Sequence, residues 1–314
     1  MTRGPRAIAA FVPTFRRSQL LRETLARLLA QSRPPDLVLV VDNASDEATE
    51  EVVREVGADG LEYHPMPENV GPAGAAAFAV ETLRSRGFEW ILWGDDDDPP
   101  RTPDALQRLD ALIDRERADE LAGVAAVGAR WDWTRGEARR LRDGELAGTL
   151  DVDVVGGGQG LLLRTAALDA SGPPDRRLFF GLEEIELCLR LRRAGLRLLV
   201  DGDLMRRYRE DAGRLDLTVR RSPWRFWPVH TLWRRYYTVR NYIFLMRNTF
   251  GRPDLARREI GKAAARCLAG WVRGPRYGLA LASYQILGVR DGLAGRLGRT
   301  IAPSPSTREK RTSA

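Results

Sequence analysis

Apolar runs that alternate with amphipathic helical patterns constrain the fold of this chain most. The run Leu37–Val41 is apolar at every position, which is typical of a parallel strand covered on both faces. Leucines at helical spacing between residues 18 and 30 predict a helix before it. The alternation continues to about residue 129, so the sequence predicts an α/β fold with a doubly wound, mostly parallel sheet.

Four consecutive aspartates, Asp95, Asp96, Asp97 and Asp98, follow the predicted strand Phe88–Trp93 and precede two prolines that end it. Adjacent carboxylates repel one another unless a cation or a set of donors offsets the repulsion. Ligands of open α/β sheets bind at the carboxyl ends of strands, where these acids stand. Mg²⁺ and Mn²⁺ prefer carboxylate oxygens and substrate phosphates. The run therefore predicts a metal site, with a solvated acidic turn as the structural alternative.

The ends of the first two predicted strands supply candidate ligand contacts. The first strand runs into Pro13, Thr14, Phe15 and Arg17, where a turn beside a helix N-terminus suits a base, a ribose or a phosphate. Asp42 ends the second strand. Its carboxylate can accept hydrogen bonds from a ring N–H or a ribose hydroxyl, or it can form the turn and cap the next helix.

Two glycine-rich segments extend the candidate binding set. Asn69, Gly71 and Gly74 stand at the start of an Ala-rich helical pattern, where glycine lets a ligand approach the backbone. The spacing is not the G-x-G-x-x-G dinucleotide fingerprint. Gly157 and Gly158 belong to a run that leaves space for a sugar or forms a flexible turn.

Two acids, Glu183 and Glu184, open a predicted helix that ends at Gly195. Acids stabilise a helix N-terminus through its dipole, which is the structural interpretation. The functional interpretation makes Glu184 a general base that removes a proton from an acceptor hydroxyl. The apolar residues 178–181 would then form a low-dielectric wall that raises its pKa.

Charge is distributed unevenly along the chain. The net charge is +7 and the basic residues concentrate after Met205, whereas the first hundred residues are acid-rich. This asymmetry favours an anionic partner near the C-terminal part, such as a membrane surface. Aromatic and arginine residues interleave over residues 221–247, which is typical either of a membrane interface or of a helical lid. No nucleic-acid-binding motif is present, so we expect no nucleic-acid partner.

Taken together, the motifs resemble family 2 glycosyltransferases with the GT-A fold, over about residues 5–250. The motifs that carry the resemblance are, in chain order, Val-Pro-Thr-Phe, Val-Asp-Asn-Ala-Ser, Glu-Asn-Val-Gly-Pro-Ala-Gly, Trp-Gly-Asp-Asp-Asp-Asp, Gly-Gly-Gly-Gln-Gly, Glu-Glu-Ile-Glu-Leu-Cys-Leu-Arg and Tyr-Tyr-Thr-Val-Arg-Asn. Within the family the chain is most similar to bacterial galactofuranosyl- and rhamnosyltransferases of cell-surface glycan assembly. The resemblance implies a Rossmann-like GT-A sheet and an inverting, metal-dependent transfer of sugar from a nucleoside-diphosphate sugar to an acceptor hydroxyl.

The resemblance also implies roles for individual residues. Asp42 would contact the nucleotide base, and Glu184 would stand where the family usually places a catalytic Asp. Two of the four aspartates would form an Asp-x-Asp motif for Mg²⁺ or Mn²⁺, either Asp95 with Asp97 or Asp96 with Asp98. Related enzymes often carry a metal-binding His after the strand that follows the base helix. Residues 201–208 contain no His, and an arginine there could neutralise the diphosphate instead.

The expected domains are a catalytic domain at 1–220, an aromatic and basic helical region at 221–301, and a disordered tail at 302–314. The expected partners are a nucleoside-diphosphate sugar donor and a glycan, lipid-linked or small-molecule hydroxyl acceptor, with a membrane surface as a further candidate. No segment is apolar enough to span a membrane and the N-terminal apolar run is too short for a signal sequence, so we expect a cytoplasmic location, at the inner membrane face if lipid is bound.

Two other functions fit parts of the pattern. A nucleotidyltransferase on a related fold would need a basic, Gly-rich phosphate loop after the first strand, and only Arg16 and Arg17 stand there. A non-catalytic scaffold at a membrane would need none of the acids. Consumption of NTP with release of pyrophosphate identifies the first, and failure to hydrolyse any nucleotide sugar identifies the second.

Overall fold

A computed structural model describes residues 6–156, 160–215 and 227–302. The chain divides into two compact units. The first, which we call the sheet unit, comprises Met1–Arg176 and Glu184–Leu217. The second, which we call the helical unit, comprises Arg177–Glu183 and Thr218–Ala314.

Strands of the sheet unit form one large mixed sheet and one small sheet. In chain order the strands are β1 (Ile8–Thr14), β2 (Leu37–Asp42), β3 (Leu61–Pro65), β4 (Trp90–Trp93), β5 (Leu121–Ala125), β6 (Gly128–Asp132), β7 (Glu137–Arg139), β8 (Thr149–Val152), β9 (Val154–Val155), β10 (Leu161–Arg164) and β11 (Arg197–Asp201). The large sheet has the order β3-β2-β1-β4-β10-β5-β11-β8. β10 runs antiparallel to both neighbours and β8 runs antiparallel to β11, whereas the other neighbours are parallel. The predicted α/β fold is confirmed, with a more mixed sheet than the sequence suggests.

Helices cover both faces of the large sheet. The helices are α1 (Ser18–Leu29), α2 (Glu47–Val56), α3 (Gly71–Ser85), α4 (Ala105–Arg115), α5 (Leu168–Ser171), α6 (Glu183–Arg193), α7 (Gly202–Asp211), α8 (Trp233–Phe244), α9 (Pro253–Gly270) and α10 (Pro275–Ala294). Alternate residues of β1 face opposite sides. Ile8, Ala10 and Val12 join the leucines of α1 and α4 in one buried cluster. The Ala-rich α3 packs against β1, β2 and β4, and the ring centroids of Phe11 and Trp93 lie 5.3 Å apart.

The polar segment after residue 130 leaves the large sheet, as predicted. β6 pairs with β7 and β9 in the small three-stranded sheet. The last strand of the alternation, which the sequence predicts at residues 124–129, lies at Leu121–Ala125 instead, and the chain turns before Gly128. Cys188, on α6, is fully buried and forms no disulfide.

The helical unit buries the aromatic side chains of α8. Tyr236 and Tyr237 are fully buried and Trp233 is nearly so, and all three pack with Phe179. The interpretation of residues 221–247 as a membrane-interface stretch is therefore wrong for these three aromatics, which form a core because they recur on one helical face. Residues 221–226 of that stretch and residues 303–314 of the expected tail lie outside the described residues. In the parts of the chain described here, no helix combines the length and apolar character needed to cross a membrane.

Candidate active site

The backbone at the end of β4 brings the acidic run against the end of β1. Gly94 donates its N–H to the carbonyl oxygen of Phe11 at 2.9 Å. A Cβ atom at Gly94 would lie 2.7 Å from that oxygen, so only glycine permits this approach. The aspartates that follow therefore emerge beside Thr14, the last residue of β1.

Asp96 points inward and is held by the start of α1. Its side chain is buried and accepts hydrogen bonds from Thr14 Oγ1 at 2.9 Å and from Arg17 Nη1 at 2.9 Å. The same Arg17 nitrogen donates to Asp97 Oδ2 at 2.7 Å. Thr24 Oγ1 donates to the backbone carbonyl of Asp96 at 2.8 Å. These four residues fix the middle of the acidic run to β1 and α1.

Three of the four aspartates form one cluster, which we call the acidic rim: Asp95, Asp96 and Asp97. One carboxylate oxygen from each lies within 4.8 Å of the others. The carboxylate of Asp98 lies 3.4 Å from Arg101 instead. Asp96 is buried and engaged by Thr14 and Arg17, whereas Asp95 is half-buried and Asp97 is exposed, which favours the Asp95–Asp97 pair among the predicted metal motifs.

The positively charged neighbours of the acidic rim do not fully balance its negative charge. Burial, together with the charges of Asp97 and Asp96, raises the pKa of Asp95 to about 7. Burial also raises the pKa of Asp96, although Arg17 and Thr14 oppose the shift. Three hard oxygen donors in one place, one of them with a pKa raised by burial and by its acidic neighbours, fit a divalent cation.

Stability of the metal-free protein should depend on the Asp95 proton. Since the pKa of Asp95 is raised from 3.8 to about 7, the folded state binds this proton more tightly than the unfolded state. This contribution to the free energy of unfolding is present below about pH 4 and is lost as the pH rises to 7. Urea unfolding in EDTA should show the wild type losing stability relative to Asp95→Asn between pH 5 and 8. The control variant Asp98→Asn should keep the wild-type pH dependence. If the free energy of unfolding of the wild type rises relative to that of Asp95→Asn over this range, the assignment is wrong.

Glu184 lies close enough to the acidic rim for its charge to raise the pKa of Asp95. Its own pKa is raised by burial. Glu186, two residues further along α6, is buried in an ion pair with Arg190. Glu183, the other predicted catalytic acid, is also buried. Of the acids that open α6, Glu184 therefore combines proximity to the rim with the raised pKa of a general base.

Asp42 serves the turn after β2. Its side chain is fully buried and accepts hydrogen bonds from the backbone N–H groups of Ala44 at 2.8 Å and Asp46 at 2.7 Å, and from Tyr63 Oη at 3.0 Å. Asp42 pairs with Thr14 in the register of β1 and β2, so it stands at the same edge of the sheet as the rim. The turn-forming interpretation accounts for these three contacts, and a contact with a nucleotide base stays a prediction.

The predicted glycine-rich loop opens α3. Asn69 Oδ1 accepts a hydrogen bond from the N–H of Gly71 at 2.9 Å, and Gly71 has a φ of +72°. A Cβ atom at Gly74 would lie 2.6 Å from Cβ of Val70, so this glycine is required by packing at the helix start. Gly157 and Gly158 lie outside the described residues.

The remaining predicted contacts lie where β1 meets α1. Pro13 is buried in β1, opposite Val41 of β2. Phe15 is exposed, with the guanidinium of Arg16 5.4 Å from its ring centroid. The structure thus brings Thr14 and Arg17 to the acidic rim, whereas Pro13 belongs to the sheet core.

A side-chain clamp holds the backbone just before Glu183. Asn241 Nδ2 donates to the carbonyl oxygens of Leu178, Phe180 and Gly181 at 2.9–3.1 Å. Arg240 Nη2 donates to the same Leu178 oxygen at 2.7 Å. Phe179 and Leu182 have positive φ angles of 60° and 74°, a strained conformation for residues with a side chain. The sequence analysis identified the Tyr-Tyr-Thr-Val-Arg-Asn segment but did not predict that it holds this turn. The feature that could have indicated it is the pair of adjacent polar residues on the buried face of the helix.

Two residues of the predicted apolar wall at residues 178–181 pack inside the helical unit, and their effect on the pKa of Glu184 stays a prediction. Leu178 and Phe179 are buried, and the Phe179 ring centroid lies 5.0 Å from that of Tyr237, inside the helical unit. These side chains contribute to the core of that unit.

Comparison with known families bears on the functions considered for the chain. The family model described as Glycosyl transferase family 2 matches residues 9–158. The chain belongs to glycosyltransferase family 2. The matched part of this glycosyltransferase contains Thr14, Arg17 and the acidic rim, and it ends before Glu184. The match favours a glycosyltransferase over the nucleotidyltransferase and the scaffold.

A curated relative of this family 2 glycosyltransferase is similar over part of its length. The chain is 32% identical over 204 residues to "Galactofuranosyltransferase GlfT1" of Mycolicibacterium smegmatis. The alignment covers 60% of this chain, and the chain spans 66% of the length of the relative.

Solved structures confirm the GT-A fold of the glycosyltransferase. The Pyrobaculum calidifontis mannosyltransferase PcManGT, in complex with GDP-Man and Mn²⁺, superposes with a TM-score of 0.52 at 17% identity, over 93% of this chain and 90% of that chain. GalNAc-T7 with UDP, GalNAc and Mn²⁺ gives a TM-score of 0.51 at 14% identity, over 64% of this chain and 43% of that chain. At these identities the likeness concerns the fold alone.

Proposed function

We propose that this chain is an inverting glycosyltransferase that transfers a sugar from a nucleoside-diphosphate sugar to an acceptor hydroxyl in cell-surface glycan assembly. One observation carries the proposal. Three carboxylates lie within 4.8 Å of one another at the carboxyl end of β4, and the charge of Glu184 acts on one of them, Asp95. A candidate metal-binding rim and a candidate base therefore stand side by side.

Asp95 and Asp97 are the residues we assign to a divalent cation, Mg²⁺ or Mn²⁺. Asp96 supports them through its hydrogen bonds to Thr14 and Arg17. When bound, such a cation supplies positive charge to the diphosphate leaving group. Arg17, which already contacts Asp96 and Asp97, would add a second positive charge beside the phosphates.

Glu184 would supply the acid–base chemistry. Its carboxylate takes the proton of the acceptor hydroxyl while the hydroxyl oxygen forms a bond to the anomeric carbon. The bond from that carbon to the diphosphate oxygen breaks on the opposite side, so the configuration inverts and the diphosphate leaves with the electron pair. The raised pKa of Glu184 makes it a stronger base than an exposed glutamate.

The nucleotide would lie along the strand ends that flank the rim. Thr14 and Arg17 border this edge on one side, and the turns at Asp42 and at Asn69–Gly71 border it on the other. The side chain of Asp42 is held by its own turn. We therefore propose that Asp42 shapes the wall of the nucleotide pocket and contacts the nucleotide base from there. The donor sugar proposed first is galactofuranose, after the relative that carries that name, with a glycan or lipid-linked hydroxyl as acceptor.

A donor panel tests the proposal. The full chain would be incubated with nucleoside-diphosphate galactofuranose and with UDP-, dTDP- and GDP-linked sugars, with Mn²⁺ or with EDTA. We expect release of nucleoside diphosphate from one donor, stimulated by acceptor and abolished by EDTA. Release of pyrophosphate from an NTP, or no turnover of any donor, contradicts the proposal.

A further inference from the structure

The helices α9 and α10 and the turn between them expose a group of large apolar side chains. We call this group the α9–α10 apolar face; its members are Leu268, Trp271, Val272, Leu279, Ile286 and Leu293. Their exposed fractions range from 42% to 75%. Single exposed leucines are ordinary on protein surfaces, whereas a group of large exposed apolar side chains marks an interaction site.

Three of these side chains form a stripe on α10, and the other three, Leu268, Trp271 and Val272, lie at the end of α9 and in the turn that leads into α10. Leu279, Ile286 and Leu293 are spaced seven residues apart on α10, so they follow one another along the same stripe. The other side of α10, with Tyr277, Leu281 and Gln285, is buried. The core of the helical unit is therefore complete without the stripe.

The described part of the helical unit is strongly basic. Residues 227–302 contain fourteen Arg and Lys against three acids. Each of the three acids, Asp254, Glu259 and Asp291, is already in an ion pair with an arginine of the same unit. Exposed Arg257, Lys262 and Arg276 lie on the same two helices as the apolar face.

We propose that the α9–α10 apolar face binds the surface of an anionic lipid bilayer. The leucine, isoleucine, valine and tryptophan side chains would enter the boundary between headgroups and acyl chains, and the flanking cations would contact lipid phosphates. Tryptophan is favoured at this depth because its ring is apolar and its N–H is polar.

The positive charge of the helical unit favours an anionic bilayer over the other candidate binding partners. A second copy of the chain would bring a like-charged unit against this one, which is unfavourable. A nucleic acid would match the charge but would leave the exposed aliphatic side chains in water. Binding to a bilayer requires neither donor nor acceptor, so this inference stands apart from the proposed catalysis.

Vesicle flotation with the full chain tests the proposal. The vesicles contain phosphatidylcholine alone or mixed with phosphatidylglycerol. One triple variant, Leu268→Ser/Val272→Ser/Ile286→Ser, removes apolar area, and a second, Arg257→Gln/Lys262→Gln/Arg276→Gln, removes charge. Matched controls in the sheet unit are Leu20→Ser, at a residue 42% exposed, and Arg135→Gln, at a side chain 73% exposed.

We expect the wild type to bind the anionic vesicles and the apolar variant to lose roughly tenfold or more in partition coefficient. The partition coefficient of the charge variant should fall by about fivefold for each cation removed, and this loss should be smaller at high salt. Thermal unfolding should be unchanged because the substituted side chains are exposed. Equal binding to both vesicle types, an equal loss in the controls, or a lipid-free dimer that the apolar variant dissociates overturns the proposal.

Discussion

Replacing Glu184 by Gln should lower kcat for sugar transfer by about 10²–10⁴-fold, the range that a general base contributes. The substitution keeps the shape of the side chain and removes its ability to take the acceptor proton. Donor affinity should stay within about twofold of the wild type, because the acidic rim on β4 and its ties to Arg17 and Thr14 are untouched. Initial rates and calorimetric donor titrations check the two halves of this expectation.

Glu183→Gln is the matched control, since it makes the same chemical change one residue earlier in α6. We expect it to retain most of the transfer activity. The wild type should also lose activity as the pH falls through the raised pKa of Glu184, because the base must be deprotonated, and the residual activity of Glu184→Gln should lack that acidic limb. A Glu184→Gln enzyme with wild-type kcat rejects the assignment.

Asp97→Ala should weaken metal-dependent donor binding by about 10²-fold or more, since it removes a carboxylate from a cluster of three. The effect should appear with Mn²⁺ and vanish in EDTA, where donor binding is already weak. Isothermal titration of the nucleoside diphosphate, with and without the cation, measures it.

The fourth aspartate provides the control for this variant. The carboxylate of Asp98 lies beside Arg101 and outside the cluster. Sequence alone left Asp97 and Asp98 as equal candidates, and the structure now predicts that Asp98→Ala changes donor affinity less than about threefold. Equal losses in Asp97→Ala and Asp98→Ala would contradict the assigned pair.

Local patterns sufficed to predict the parallel half of the sheet and the place of the acidic rim. The strands β1, β2 and β4 are continuous apolar runs, and the acids follow the last of them directly, so neither feature depends on distant residues. The antiparallel β10 between β4 and β5 was not predictable in this way, because a strand's place in a sheet is decided by pairings far apart in sequence.

The sequence also could not show which of the four aspartates form the cluster. Membership of the cluster depends on a turn that directs Asp96 toward Thr14 and Asp98 toward Arg101. The prediction that the aromatic residues of α8 lie at a membrane interface was wrong for a related reason. Their interleaving with arginine suits a membrane interface and a buried helical face equally well, and only the packing of Tyr236 and Tyr237 against Phe179 separates the two.

The Arg240–Asn241 clamp has a consequence for where this enzyme can be cut. A fragment ending at residue 215 would keep every strand of the large sheet and all of the acidic rim. It would also strip three carbonyl oxygens, on the turn that leads into Glu183, of donors that come from 60 or more residues downstream. We therefore expect a fragment that ends at residue 215 to lose the conformation of this turn, although it extends well past the end of the family match at residue 158.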